Sequence, residues 1–166
     1  IGFKHAFITG ATGIVGSRLS ERLTEIGVRV TGYARKASDY GQPVSVNQVY
    51  GDICDVETLI AASQHADVIF HLAGAVYGSR KTFEGYSDVN VGGTENVART
   101  ARAIGAKLIH VSTVNVEGFR VGELKDDYSN TKSQAEDVID DAVDGGLDAI
   151  MIRPATIFGD KVGRAG

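Results

Sequence analysis

Thr9-Gly10-Ala11-Thr12-Gly13-Ile14-Val15-Gly16 is the stretch whose reading decides the fold. Residues 4–9 before it form an apolar run of strand length, and residues 13–26 carry apolar side chains at helical spacing. A glycine-rich turn between strand and helix is the context in which a backbone loop cradles a phosphate. Gly10 permits the tight turn, Gly13 lets the backbone approach a pyrophosphate, and Gly16 lets the helix pack on the sheet. The helix start adds unpaired N–H groups and a positive dipole end, which suit an anion. Gly10, Ala11, Thr12, Gly13, Ile14 and Val15 are therefore candidate nucleotide contacts. The alternative is a glycine-rich turn with no ligand.

Working outward, apolar runs and helical patterns alternate to the end of the chain. Strands are predicted over 28–33, 47–50, 67–72, 107–112 and 149–152. Helices are predicted over 56–63, 88–103 (with Gly105 as the stop signal) and 128–143. Near-continuous apolar strands between helices imply a parallel sheet covered on both faces. Right-handed crossovers then make the fold class α/β, a doubly wound parallel sheet of Rossmann type. No repeat, low-complexity segment or linker divides the chain, so residues 1–166 are read as one domain.

Composition agrees. The 166 residues are 43% hydrophobic and 23% charged, which suits one domain with a sizeable core. No window approaches the roughly 18 uninterrupted apolar residues of a membrane span. A net charge of −4 disfavours bulk nucleic acid or anionic membrane as partners and leaves room for a local basic pocket. The single Cys54 leaves no partner for an internal disulfide and no thiolate zinc site, and is read as a small buried residue in a cytoplasmic protein. The chain begins at Ile1 without a signal-peptide pattern and ends in Asp160-Lys161-Val162-Gly163-Arg164-Ala165-Gly166, which reads as an interrupted loop. The expectation is a piece of a longer protein.

Further landmarks follow in order: Gly51-Asp52-Ile53-Cys54-Asp55 after the third strand, His71-Leu72-Ala73-Gly74 after the fourth, and Asp88-Val89-Asn90-Val91-Gly92-Gly93-Thr94 opening the long helix. Val111-Ser112-Thr113 ends the fifth strand, and Tyr128-Ser129-Asn130-Thr131-Lys132 and Arg153-Pro154-Ala155-Thr156-Ile157-Phe158-Gly159 complete the set. Together with the G-x-x-G-x-x-G spacing of the glycine loop, they resemble the extended branch of the short-chain dehydrogenase/reductase superfamily over nearly the whole chain. That branch holds NAD(P)-dependent epimerases, dehydratases and ketone reductases. The resemblance implies that Asp52 meets adenine, that Ile53, Leu72, Ala73, Gly74 and Asn90 also border the cofactor, and that Pro154 and the backbone after it meet the nicotinamide. Simpler roles compete: Asp52 and Asn90 as helix caps, and Pro154 as a stiff strand exit.

The residue ending the second strand selects the cofactor, because an acid accepts hydrogen bonds from a ribose 2′-hydroxyl whereas arginine accommodates a 2′-phosphate. Here Tyr33-Ala34-Arg35-Lys36 offers no acid before Asp39. The reading is NADP, with NAD as the alternative, and Arg35 as the phosphate contact.

Tyrosine is a weak acid or base at neutral pH, with an ordinary pKa of about 10, and a neighbouring ammonium lowers it. Tyr128 and Lys132 are four apart, so a helix puts them on one face. The resemblance makes them the catalytic pair, with Lys132 also holding the ribose and Ser112 or Thr113 meeting the substrate oxygen. Ser112 is assigned to the cofactor and strand end, Thr113 to the substrate. Tyr77 and Lys81 have the same spacing but lie in a loop, where Tyr77 borders the substrate or nothing. His5, His65, His71 and His110 lack metal-ligand spacing and are read as structural. Glu136, Asp137, Asp140, Asp141 and Asp144 are read as the solvated face of a helix.

Two departures refine the resemblance. The segment from Thr113 to Tyr128 is short, with Val116-Glu117-Gly118 where nucleotide-sugar enzymes carry a longer loop. The C-terminal substrate domain is largely absent. The expected activity is an NADP(H)-dependent oxidoreductase that reduces a ketone or aldehyde or oxidises a secondary alcohol, similar to dihydroflavonol-reductase-like proteins. Its partners would be a small carbonyl or alcohol substrate and a second copy of the chain. The alternatives are an NAD-dependent nucleotide-sugar epimerase or dehydratase, and a non-catalytic dinucleotide sensor.

Overall fold

The computed structural model describes residues 2–37 and 46–157. Asp39, the Phe158-Gly159 end of the Arg-Pro motif and the 160–166 tail lie outside the described residues. Six strands, β1 (His5–Thr9), β2 (Arg29–Ala34), β3 (Asn47–Tyr50), β4 (Val68–His71), β5 (Lys107–Val111) and β6 (Ala149–Ile152), form one sheet in the order β3-β2-β1-β4-β5-β6. Every neighbouring pair is parallel. The helices are α1 (Ile14–Glu25), α2 (Val56–Ala62), α3 (Phe83–Ser87), α4 (Gly93–Ile104), α5 (Asn115–Arg120) and α6 (Asp127–Asp144). No described helix is long and apolar enough to cross a membrane.

β1 is buried along its whole length because it lies at the centre of a sheet covered on both faces. Alternate residues feed alternate cores. Phe7 packs with Tyr33, Leu59, Ile69, Leu108 and Ile139 on one face. Ala6 and Ile8 pack with Leu23, Val30 and Val68 on the other. The strand order reverses between β1 and β4, so the loops leaving their C-terminal ends diverge and open a crevice there.

Two helical segments depart from the sequence reading. The long helix starts at Phe83 instead of Asp88, with Thr82 as its N-cap accepting from the Gly85 N–H. Gly85, a poor helix former, masks that start in the sequence. Asp88–Gly92, expected to open the helix, is instead a π-helical turn that joins α3 to α4. The second segment, α5, fills what reads as a plain loop after β5 and buries only Val116. Asp55, not Asp52, caps α2, accepting from the Thr58 N–H.

Gly10 has φ of +70°, and a Cβ there would lie 2.7 Å from the Ala73 nitrogen. It therefore serves both the turn and the close approach of the loop after β4. A Cβ on Gly16 would strike the Gly10 carbonyl and lie 2.7 Å from the Ala11 Cα. Gly16 thus seats α1 on the glycine loop itself, a correction to the expected contact with the sheet. Replacing Gly10 by alanine combines a left-handed backbone with a collision against main chain. Gly10→Ala is expected to lower stability by more than about 2 kcal/mol in urea unfolding, whereas Gly27→Ala, with φ of +81° and open space around it, loses about 1 kcal/mol.

Candidate active site

The crevice at the strand ends is a groove of about 300 Å³. Gly10, Thr12 and Gly13 form one wall, Leu72, Ala73 and Gly74 another, and Arg35, Lys36, Asp52 and Ile53 close one end. Val76 and Val89 add an apolar surface that the sequence reading missed. Their signal was available, since each sits beside a residue that was singled out. Ala11 is fully buried behind the loop, and Ile14 and Val15 are the first residues of α1; none of the three borders the groove.

The groove suits an anion on structural grounds. α1 has no side-chain cap at Gly13 and no acidic residue in its first turn, so its positive end is not neutralised from within the helix. A Cβ at Gly13 would meet only the Gly10 carbonyl, at 3.3 Å. Arg35 and Lys36 are exposed where β2 ends. Asp52 lines the same end and accepts from the Cys54 N–H at 3.0 Å. Cys54 is exposed, not buried as expected. Local desolvation and the Asp52 carboxylate push its thiol up to about 11, so it stays protonated.

One hydrogen-bonded chain holds the groove's floor. Thr94 Oγ1 donates to the Asn90 carbonyl at 2.6 Å, so its oxygen accepts from His71 Nε2 at 3.1 Å. His71 Nδ1 then accepts from Thr9 Oγ1 at 2.8 Å, and Thr9 Oγ1 accepts from the Ala73 N–H at 3.3 Å. From the π turn, Asn90 Oδ1 accepts from Ala75 N–H at 2.8 Å while Nδ2 donates to Ala75 O and Thr131 Oγ1. Asn90 is buried and committed to these partners, neither a helix cap nor a wall of the groove. It ties the loop after β4 to the turn of α6 between Tyr128 and Lys132.

Tyr128 and Lys132 share α6, as the spacing implies. The electrostatics differ from expectation. Burial pushes the Tyr128 phenol up, the neighbouring Thr113 side chain opposes it, and Asp126 and Tyr86 add to the rise. Lys132 does not lower it, because Nζ donates to the Val111 carbonyl at 3.0 Å. Burial lowers the Lys132 ammonium to about 8, against the pull of Glu136. Tyr77 and Tyr86 stand edge-on to the Tyr128 ring at 6.2 and 6.3 Å.

The serine and threonine separate. Ser112 is buried, and its Oγ faces the Glu136 carboxylate, helping to lower that pKa without reaching hydrogen-bond geometry. Thr113 instead meets Tyr128. The Pro154 carbonyl accepts from the Val114 N–H at 3.1 Å, which joins the exits of β5 and β6. Glu136 corrects the reading of the acidic cluster. Asp137, Asp140, Asp141 and Asp144 are exposed, but Glu136 is 0% exposed. The missed signal is its stride: Tyr128, Lys132 and Glu136 recur every four residues on one helix face.

Among the histidines, His5, His71 and His110 are buried and His65 is exposed at a φ of 66°. No group of three candidate metal ligands occurs among the described residues.

A family model described as the NAD dependent epimerase/dehydratase family matches residues 6–165. A 2-alkyl-3-oxoalkanoate reductase of Shewanella oneidensis is 30% identical over 94% of this chain and 45% of its own length. A ceramide reductase of Caulobacter vibrioides is 32% identical over 92% of this chain and 46% of its own. The chain spans about half the length of these curated relatives. Among solved structures, the Bordetella bronchiseptica enzyme WbmH in complex with NAD+ superposes with a TM-score of 0.78 at 25% identity, over 94% of this chain and 57% of that one.

Burial lowers His71 to about 3 and holds His110 well below the imidazole range. Both are thus neutral in the folded chain, whereas unfolded imidazole takes a proton below about 6.5. The unfolded state then binds more protons as pH falls, so stability drops in that direction. Urea unfolding is expected to show a loss of about 2 kcal/mol for each of these histidines between about pH 7 and about pH 5. A flat profile over that window would contradict their neutral burial.

Proposed function

The chain belongs to the NAD dependent epimerase/dehydratase family, and from that premise we propose that it is the cofactor-binding half of an NADP(H)-dependent carbonyl reductase. The observation that carries this reading is the placement of Tyr128 and Lys132 one turn apart on α6, with Tyr128 beside Thr113 just past the end of β5 and Lys132 Nζ bonded to the Val111 carbonyl. A nicotinamide dinucleotide supplies hydride chemistry when bound. The glycine loop and the start of α1 would hold its pyrophosphate, Asp52 and Ile53 the adenine, Arg35 with Lys36 a 2′-phosphate, and Lys132 a ribose.

With its pKa raised, Tyr128 enters the reaction as a neutral phenol. A phenol kept neutral is a proton donor, and carbonyl reduction requires a proton at the carbonyl oxygen. The Thr113 hydroxyl, beside Tyr128, would orient that oxygen. Lys132, an ammonium below about 8, would serve the ribose instead of the phenolate, its Nζ being held on the Val111 carbonyl. A 2-alkyl-3-oxoalkanoate reductase and a ceramide reductase among the relatives support a carbonyl substrate.

Calorimetric titration with NADPH and NADH tests the cofactor. Tighter NADPH binding that is lost in Arg35→Asp is expected; preference for NADH would favour the epimerase branch. In the protein that carries this chain, Tyr128→Phe is expected to lower turnover by about 100-fold or more with dinucleotide affinity nearly unchanged. Unchanged turnover of a carbonyl panel would overturn the acid role.

A further inference from the structure

Glu136 is the common node of the elements that hold the site. Its carboxylate is fully buried in α6 and receives two parallel bonds from Arg153, Nε to Oε1 at 2.8 Å and Nη2 to Oε2 at 2.6 Å. Arg120 of α5 approaches Oε2 at 3.4 Å, while also bonding Ser133 and Asp137. Ser112 faces the same carboxylate from the end of β5. Arg153 immediately precedes Pro154 at the exit of β6, and its outer nitrogen also pairs with Glu117 of α5 at 3.4 Å. One turn back on α6 lies Lys132.

Arg153 and Arg120 reach the buried carboxylate from the solvent side, with 35% and 39% of their side chains exposed. Sinking a carboxylate to meet them is a poor device for stability alone, because apolar residues of similar volume do as well or better. What apolar residues cannot supply is a fixed negative charge. Lys132 needs one. It is buried, and the other titratable groups against it are the neutral imidazoles of His71 on β4 and His110 on β5. Each imidazole titration is affected by the Lys132 charge, which places both near it. Tyr128, one turn further back, is a neutral phenol. Among these groups Glu136 alone carries a negative charge.

We propose that Glu136 is a positioning residue for the Tyr128–Lys132 pair: gripped by Arg153 and Arg120, its carboxylate fixes that face of α6 against the strand ends bearing Ser112 and Pro154, and supplies the negative charge opposite the Lys132 ammonium. That role rests on the reading of Tyr128 and Lys132 as the acid–base pair. Glu136 itself touches neither cofactor nor substrate.

Carbon-13 NMR of the chain labelled at lysine Cε reads the Lys132 titration directly, with its signal assigned by loss in Lys132→Met. In the wild-type chain the midpoint is expected near 8. In Glu136→Gln, nearly isosteric but uncharged, the proton affinity of Lys132 is expected to fall about tenfold or more. Glu136→Asp, which keeps the charge, is expected to restore it to within about threefold. An unchanged midpoint in folded Glu136→Gln overturns the charge role, because packing alone would not move it. Should that variant fail to fold, Glu136→Met with Arg153→Met is read against Arg153→Met alone, in which Arg120 still pairs the carboxylate. An equal Lys132 midpoint in the two is again fatal, and a proton affinity lower by about threefold or more in the double variant supports the role. The readout needs no dinucleotide, so its failure leaves the cofactor reading standing, and failure of NADPH and NADH to bind leaves this result intact.

Discussion

The neutral imidazole of His71 connects the parts of this molecule that have to stay in register. Its two nitrogens have opposite duties, one accepting from Thr9 at the end of β1 and the other donating to Thr94 at the start of α4. Those two hydroxyls pass the polarity on to the Ala73 N–H and the Asn90 carbonyl. The glycine loop, the loop after β4 and the π turn therefore meet through one satisfied polar chain instead of through apolar packing. A protonated imidazole would break it, since a ring with two donors has nothing to accept the Thr9 hydroxyl. Burial keeps the ring neutral and so keeps the chain directional.

Around that floor the site divides into two electrostatic regions. The groove end is positive through the start of α1, Arg35 and Lys36, and exposed enough for a ligand to enter. On the α6 side Lys132 and Glu136 are buried, and the partly exposed Arg153 and Arg120 pair the Glu136 carboxylate. Asn90 bridges the regions, bonding the loop that walls the groove on one side and Thr131 of α6 on the other. On the proposed reading, a phosphate would be held where water reaches, and a proton would pass from Tyr128 where the dielectric is low.

Much of this was legible in the residues. The doubly wound parallel sheet and the groove walls formed by Gly10, Gly13, Asp52 and Ala73 follow from the glycine loop, the alternation of elements and the family resemblance. Less legible were the features that depend on a distant neighbour. The early helix start at Phe83 hides behind Gly85, and α5 behind a segment with one buried side chain. Glu136 looked like its exposed acidic neighbours because composition cannot tell which side of a helix meets two arginines.

The sequence by itself determined the doubly wound sheet and the place of the anion site, because strand and helix periods and a left-handed glycine are local properties of the chain. Only the tertiary structure decided the protonation of the site. Whether Tyr128 is pushed up or down depends on how far the fold removes it from water and on where Lys132 points. Burial and distance belong to the assembled fold, and for charges they outweigh spacing along the chain.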